Sequence, residues 1–271
     1  VAAGVARTVG LALAVGLAFG TPCAAAADGP EDSSRLVVVE GDSISTGKFL
    51  PDPGARYSDL LARVLGVPVL NVATDGESLA VSQPHRIPYS GMAYTWDRQV
   101  LARDPAVIVL MSGSNDVRFD FASDIDARVD LFERLLRGML DAARSHVNPD
   151  GSHPVVIVMS PPPARAPGQV IEPVEHFTSS RIRGDMDQLV ARAAAVAADY
   201  PEVRWVDNYH LWQALSRKQK DPAWFVKRLT FDGVHPNEFG HRLIARTLLP
   251  VLADALRTAT PRESTAPRPG G

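Results

Sequence analysis

The chain has 271 residues, 45 % of them hydrophobic and 22 % charged, with a net charge of −3. This is an ordinary globular composition, with enough apolar residues for one three-layer core. The acidic balance and the lack of any Lys/Arg run interleaved with aromatics exclude a nucleic-acid-binding face and argue against docking on anionic lipid.

Residues 1–27 read as a secretory leader ahead of the fold. Arg7 is their only charge, and Gly10 to Gly20 form an apolar stretch of h-region length, well short of the ~20 residues a spanning helix needs. Ala25, Ala26 and Ala27 then offer a small-residue cleavage site before Asp28. The expectation is a secreted protein without a stable membrane anchor after cleavage. The single cysteine, Cys23, falls inside the leader, with Gly20 and Pro22 where a lipid-attachment box would place leucine and a small residue. The mature chain would then have no disulfide, no cysteine nucleophile and no thiolate metal site.

Residues 28–34 are polar and read as a flexible lead-in. Residues 36–39 (LVVV) form a short continuous apolar run, the mark of a buried parallel strand. A helix is expected over 56–65 with Leu60, Leu61 and Val64 on one side, a second strand over 67–72 and a helix over 93–103. Residues 106–111 (AVIVLM) are the third strand. A long helix starts at Ser123, with Asp126 as an imperfect capping box, and carries Ile125, Val129, Phe132, Leu135, Leu136, Met139 and Leu140 at helical spacing. The fourth strand is 155–159, left by a proline-rich loop over 161–167. A helix over 180–200, a fifth strand over 203–206 and a last helix over 237–256 complete a domain expected at 35–257. Residues 258–271 read as a disordered tail. Strands alternating with helices predict an α/β fold: a mainly parallel five-stranded sheet with helices on both faces, its ligands beyond the carboxyl ends of the strands.

Three short segments fall at that rim. Gly41-Asp42-Ser43-Ile44 follows the first strand. Ser43 there is either the N-cap of a βα turn or a nucleophile lifted clear of the sheet. A phosphate loop is excluded because five residues separate Gly41 from Gly47, not four, and Phe49 stands where Ser or Thr is required. The α/β-hydrolase elbow fails because Ser45 replaces its second glycine. Gly113-Ser114-Asn115-Asp116 follows the third strand. The Asn115 amide there can donate to an oxyanion or simply bind loop backbone, while Asp116 reads as a cap or a partner of Arg118. In Asp232-Gly233-Val234-His235-Pro236 the carboxylate can fold back on the imidazole Nδ1 and leave Nε2 as a base. His241 is near enough to suggest a metal pair, but no His-Glu-x-x-His pattern exists, and neither metal nor cofactor is expected. Gly76, in the loop after the second strand, is on its own only a loop glycine.

These segments resemble the GDSL, or SGNH-type, hydrolases, whose four sequence blocks carry Ser, Gly, Asn and His in that order. The first block has Ile44 where leucine is usual, and the resemblance spans about residues 36–256. It implies a flavodoxin-like three-layer α/β/α fold. It also implies Ser43 as nucleophile, His235 as base, Asp232 as its partner, and an oxyanion hole of the Ser43 and Gly76 N–H groups with the Asn115 amide. The implied activity is that of a serine esterase or acylhydrolase acting through an acyl-enzyme on a small-molecule, polysaccharide or lipid ester. An acyltransferase on the same site, or a binding module that has lost activity, are the alternatives. Specificity would sit in loops 82–92, 161–175 and 208–225. The last holds Tyr209, Trp212, Trp224 and Phe225, which would line a groove, stack on a sugar or simply be core.

Overall fold

The computed structural model describes residues 35–82, 87–117, 124–163, 180–220 and 228–259. The leader, the lead-in and the tail beyond Ala259 lie outside these residues, as do Arg118, Ser123, Trp224 and Phe225.

In chain order the elements are β1 (Val37–Gly41), α1 (Ser43–Thr46), α2 (Tyr57–Leu65), β2 (Val69–Asn71), β3 (Val81–Ser82), β4 (Ile87–Pro88), α3 (Met92–Gln99), β5 (Val107–Met111), α4 (Ile125–Ser145), β6 (Val155–Ser160), α5 (Ser180–Ala198), β7 (Arg204–Asp207), α6 (Asn208–Arg217) and α7 (Glu238–Ala259). Five strands form one all-parallel sheet in the order β2-β1-β5-β6-β7, and β3 and β4 make a separate antiparallel hairpin.

Side chains alternate across a strand, and that alternation builds the three layers. Val38, Ile108, Leu110, Val156 and Val158 face a core completed by Met92 and Trp96 of α3, Phe132 and Leu136 of α4, and Leu189 and Val196 of α5. Val37, Val39, Val107, Val109 and Ile157 face the other core, with Tyr57 and Leu61 of α2 and Ile244, Leu248 and Leu252 of α7. The central strands are buried on both faces, so their sequences show unbroken apolar runs rather than alternation.

Several expectations are corrected. The helix expected over 93–103 ends at Gln99 and gives way to a 3₁₀ turn over Leu101–Arg103. The long fourth helix is capped by Asp124, whose carboxylate accepts from the Asp126 N–H at 3.2 Å, and it runs on to Ser145. Val64 is exposed on α2. The last helix passes residue 257 and ends at Ala259, because Ala255 and Ala259 still pack into the core. Two elements were not foreseen: the β3–β4 hairpin, too short to show a period, and α6, placed in a region read as loop. Tyr209 and Trp212 lie on α6, are each 2 % exposed and belong to the core rather than to a groove.

Candidate active site

The first strand ends at a glycine needed for close approach. A Cβ on Gly41 would fall 2.8 Å from the Met111 carbonyl oxygen of the neighbouring strand. The chain then turns directly into α1. Asp42 caps this short helix, its Oδ1 accepting from the Ile44 N–H at 2.9 Å. Ser43 occupies the first helical position and is 8 % exposed.

The segment before α7 is closed by a bridge between Thr230 and Pro236. Inside it, Asp232 Oδ1 accepts from the Val234 and His235 N–H groups at 3.0 and 2.8 Å, and Oδ2 lies 2.6 Å from His235 Nδ1. His235 Nε2 is 3.0 Å from Ser43 Oγ, across 192 residues of sequence. Ser43, His235 and Asp232 therefore form one connected chain. Partial burial would raise the Asp232 carboxyl, but the His235 ring, the two N–H donors and the nearby imidazole charge outweigh it and hold it down at about 2. An ionised Asp232 is an acceptor only. The proton of a neutral His235 then sits on Nδ1, leaving the Nε2 lone pair toward the serine.

Asn115 is 4 % exposed and reaches the same region. Its Nδ2 donates to the Glu77 carbonyl at 2.9 Å and to Asp42 Oδ2 at 3.3 Å. Asp42 thus caps the serine helix with one oxygen and meets Asn115 with the other. Gly76 has φ 75° and sits between two residues tied to this cluster. Asp75 bonds Thr46 Oγ1 and pairs with Lys48 at 3.6 Å, and Glu77 holds Asn115 through its carbonyl. Asp116 serves the scaffold, accepting from the Leu79 N–H and the Ser112 hydroxyl, both at 2.9 Å. His241 is fully buried beneath Tyr57, whose N–H lies 3.3 Å from Nδ1; burial, then Arg56, pushes it down to about 4.

Two features escaped the motif reading. The first is Phe49, the third residue of a turn closed by the Leu50 N–H on the Gly47 carbonyl (2.9 Å). Its φ is 70°, at a position that favours glycine; holding a non-glycine residue there costs on the order of 1–3 kcal/mol. Its ring stands at 87° to the His235 imidazole with centroids 5.1 Å apart, and at 80° to the Phe231 ring at 6.4 Å. A bulky residue after Gly47-Lys48 was visible, but its backbone conformation was not.

The second is a group of buried carboxyls behind the serine. Burial pushes Glu40 up to about 8, with the Glu77 charge adding to it and the Gly41 N–H opposing. Burial likewise raises Asp42 and Glu77 to about 7 and Asp116 to about 6. A carboxyl raised on folding binds its proton more tightly in the native state, so its stabilising effect is complete below pH ~4 and is lost as pH climbs through the native value. Unfolding in urea is therefore expected to show stability falling between about pH 5 and 8. Glu40→Gln keeps the acceptor for the Gly41 N–H and removes the charge. It should raise stability over wild type at pH 8.5 and change little at pH 5; equal effects at both pH values would place the Glu40 titration elsewhere.

The fold and these loops fit one class of enzyme. The family model of the GDSL-like lipase/acylhydrolase family matches residues 39–243, and the chain belongs to that family of carboxylic ester hydrolases. Among solved structures, the acetylxylan esterase Axe2 of Geobacillus stearothermophilus is 20 % identical, covering 80 % of this chain and 94 % of its own, with a TM-score of 0.58. A carbohydrate acetylesterase family member from Sinorhizobium meliloti is 19 % identical, covering 82 % and 99 %, with a TM-score of 0.60. Both have the fold of this chain. No curated protein matches it.

Proposed function

We propose that the protein is an exported serine esterase that hydrolyses acetyl esters of carbohydrates through a covalent acyl-enzyme. The observation that carries the reading is the contact of Ser43 Oγ with His235 Nε2, backed by Asp232 on Nδ1. The Ser43 proton passes to Nε2 as Oγ bonds to the acyl carbon. The developing oxyanion is met by the Ser43 and Gly76 N–H groups and the Asn115 amide. The imidazolium gives its proton to the leaving alkoxide, the C–O bond breaks, and the acyl group stays on Oγ. Water, deprotonated by Nε2, attacks the acyl-enzyme; collapse returns the proton to Oγ and frees the acid.

The serine and histidine roles are supported by the structural relative, whose catalytic mutants replace a serine and a histidine by alanine. The substrate class is supported by both relatives' names, acetylxylan esterase and carbohydrate acetylesterase. Export rests on the composition of residues 1–27. The test is a chain-length series of p-nitrophenyl esters run beside acetylated xylan, with the products identified. Free acetate, a preference for the shortest acyl group and fluorophosphonate labelling of Ser43 are expected. Transfer of the acyl group to an added alcohol in preference to water would make the enzyme a transferase, and absence of labelling would remove the serine mechanism.

Asn115 carries a separate prediction. Losing one oxyanion donor costs about 10²–10³ in rate, so Asn115→Ala is expected to fold and to lose kcat by that factor with KM little changed. Both of its amide protons already have partners, so the longer contact, to Asp42, must yield or be shared when negative charge appears. Full kcat in a folded variant would leave Asn115 with the Glu77 loop alone.

A further inference from the structure

We infer that Phe49 and Phe231 form the wall of the subsite for the alcohol half of the ester, and that this wall takes the C–H face of a sugar ring. The inference rests on the esterase reading of Ser43 and His235. Two phenyl rings stand in the open beside the base: Phe49 is 56 % exposed and Phe231 47 %. They are brought there by separate segments. Phe49 comes from the turn after α1, in a left-handed backbone conformation that glycine would hold without strain. Phe231 comes from the segment of His235 itself, its N–H donating to the His235 carbonyl at 2.9 Å. A strained backbone that presents an aromatic ring to solvent is a cost that core packing does not explain.

The side of the site follows from the chemistry. His235 Nε2 must hand its proton to the leaving oxygen, so the alcohol departs past the imidazole, where Phe49 stands. The acyl oxygen instead turns toward Asn115 and Gly76. The kind of alcohol follows from the surroundings. The rings offer an apolar face and no hydrogen-bonding group. Beside them Lys48 Nζ lies 5.5 Å from the Phe49 centroid and 3.6 Å from Asp75 Oδ2, with both residues partly exposed. Two apolar rings set edge to face at 80°, with a charged pair beside them, make an angled wall that fits a pyranose, which is apolar on its C–H face and hydroxylated at its edge. A linear alkyl alcohol would use the wall and leave the rim idle.

The experiment compares kcat/KM of the full chain on an acetylated xylooligosaccharide, ethyl acetate and octyl acetate, for wild type, Phe49→Gly, Phe49→Trp and Phe231→Ala. Phe49→Gly is expected to lower the sugar-to-ethyl ratio by about tenfold or more without lowering the unfolding midpoint, because glycine relieves the strain. Phe231→Ala should lower the ratio in the same direction, and Phe49→Trp should keep it near the wild-type value. An unchanged ratio in both Phe49→Gly and Phe231→Ala overturns the subsite. An equal loss on octyl acetate overturns the sugar assignment. Ethyl acetate turnover by wild type that disappears in Ser43→Ala upholds the esterase reading whichever way the ratio moves, whereas wild type inert on all three esters sinks both.

Discussion

Ser43→Ala is expected to fold as wild type does and to lose about 10⁶-fold in kcat on a simple acetyl ester, the loss seen when a serine nucleophile is removed. The fold should not notice the change. The Ser43 hydroxyl caps nothing: Asp42 holds the helix start through the Ile44 N–H, and the Thr46 hydroxyl and Lys48 N–H bond the Ser43 carbonyl, which alanine retains. Among the described residues, only the contact to His235 Nε2 disappears. Stopped-time assays with p-nitrophenyl acetate, beside an unfolding curve, measure both halves. A variant that keeps more than a tenth of wild-type kcat would put the nucleophile elsewhere.

Asp232→Asn is expected to cost about 10⁴-fold in kcat, more than an oxyanion donor. Asparagine has the shape of aspartate, and its carbonyl oxygen would keep the two backbone donors, Val234 and His235, now held by Oδ1. Its NH₂ would then occupy the place of Oδ2, facing Nδ1 at the present 2.6 Å. A donor there forces Nδ1 to accept, moves the ring proton to Nε2 and turns the base away from its task. Nitrogen NMR of the His235 ring reports the tautomer, and kinetics report the rate. A variant with a full rate and an Nε2–H ring would show that the tautomer does not matter.

The sheet was legible because its central strands, such as 106–111, are hydrophobic on both faces and bounded by loops. The serine, asparagine and histidine segments were legible because each sits just past a strand or just before the last helix. What stayed hidden has physical causes. The short sequence of α6 mixes polar and apolar residues, and burial of Tyr209 and Trp212 is decided by packing against two different cores. The ends of the third helix depend on a local switch to 3₁₀ geometry, which periodicity does not resolve. The presentation of Phe49 depends on a backbone angle, and the carboxyl cluster behind Ser43 depends on which residues three separate segments bring together.

Asp232 and His235 are three residues apart in one self-closed segment. The proposed proton relay therefore has a single seam. Its two basic-side members are spliced by a local turn, and only the junction with Ser43 is made by the tertiary fold. Displacing the segment before α7 would switch catalysis off without dismantling the dyad, and bringing it back would restore the joint in one movement.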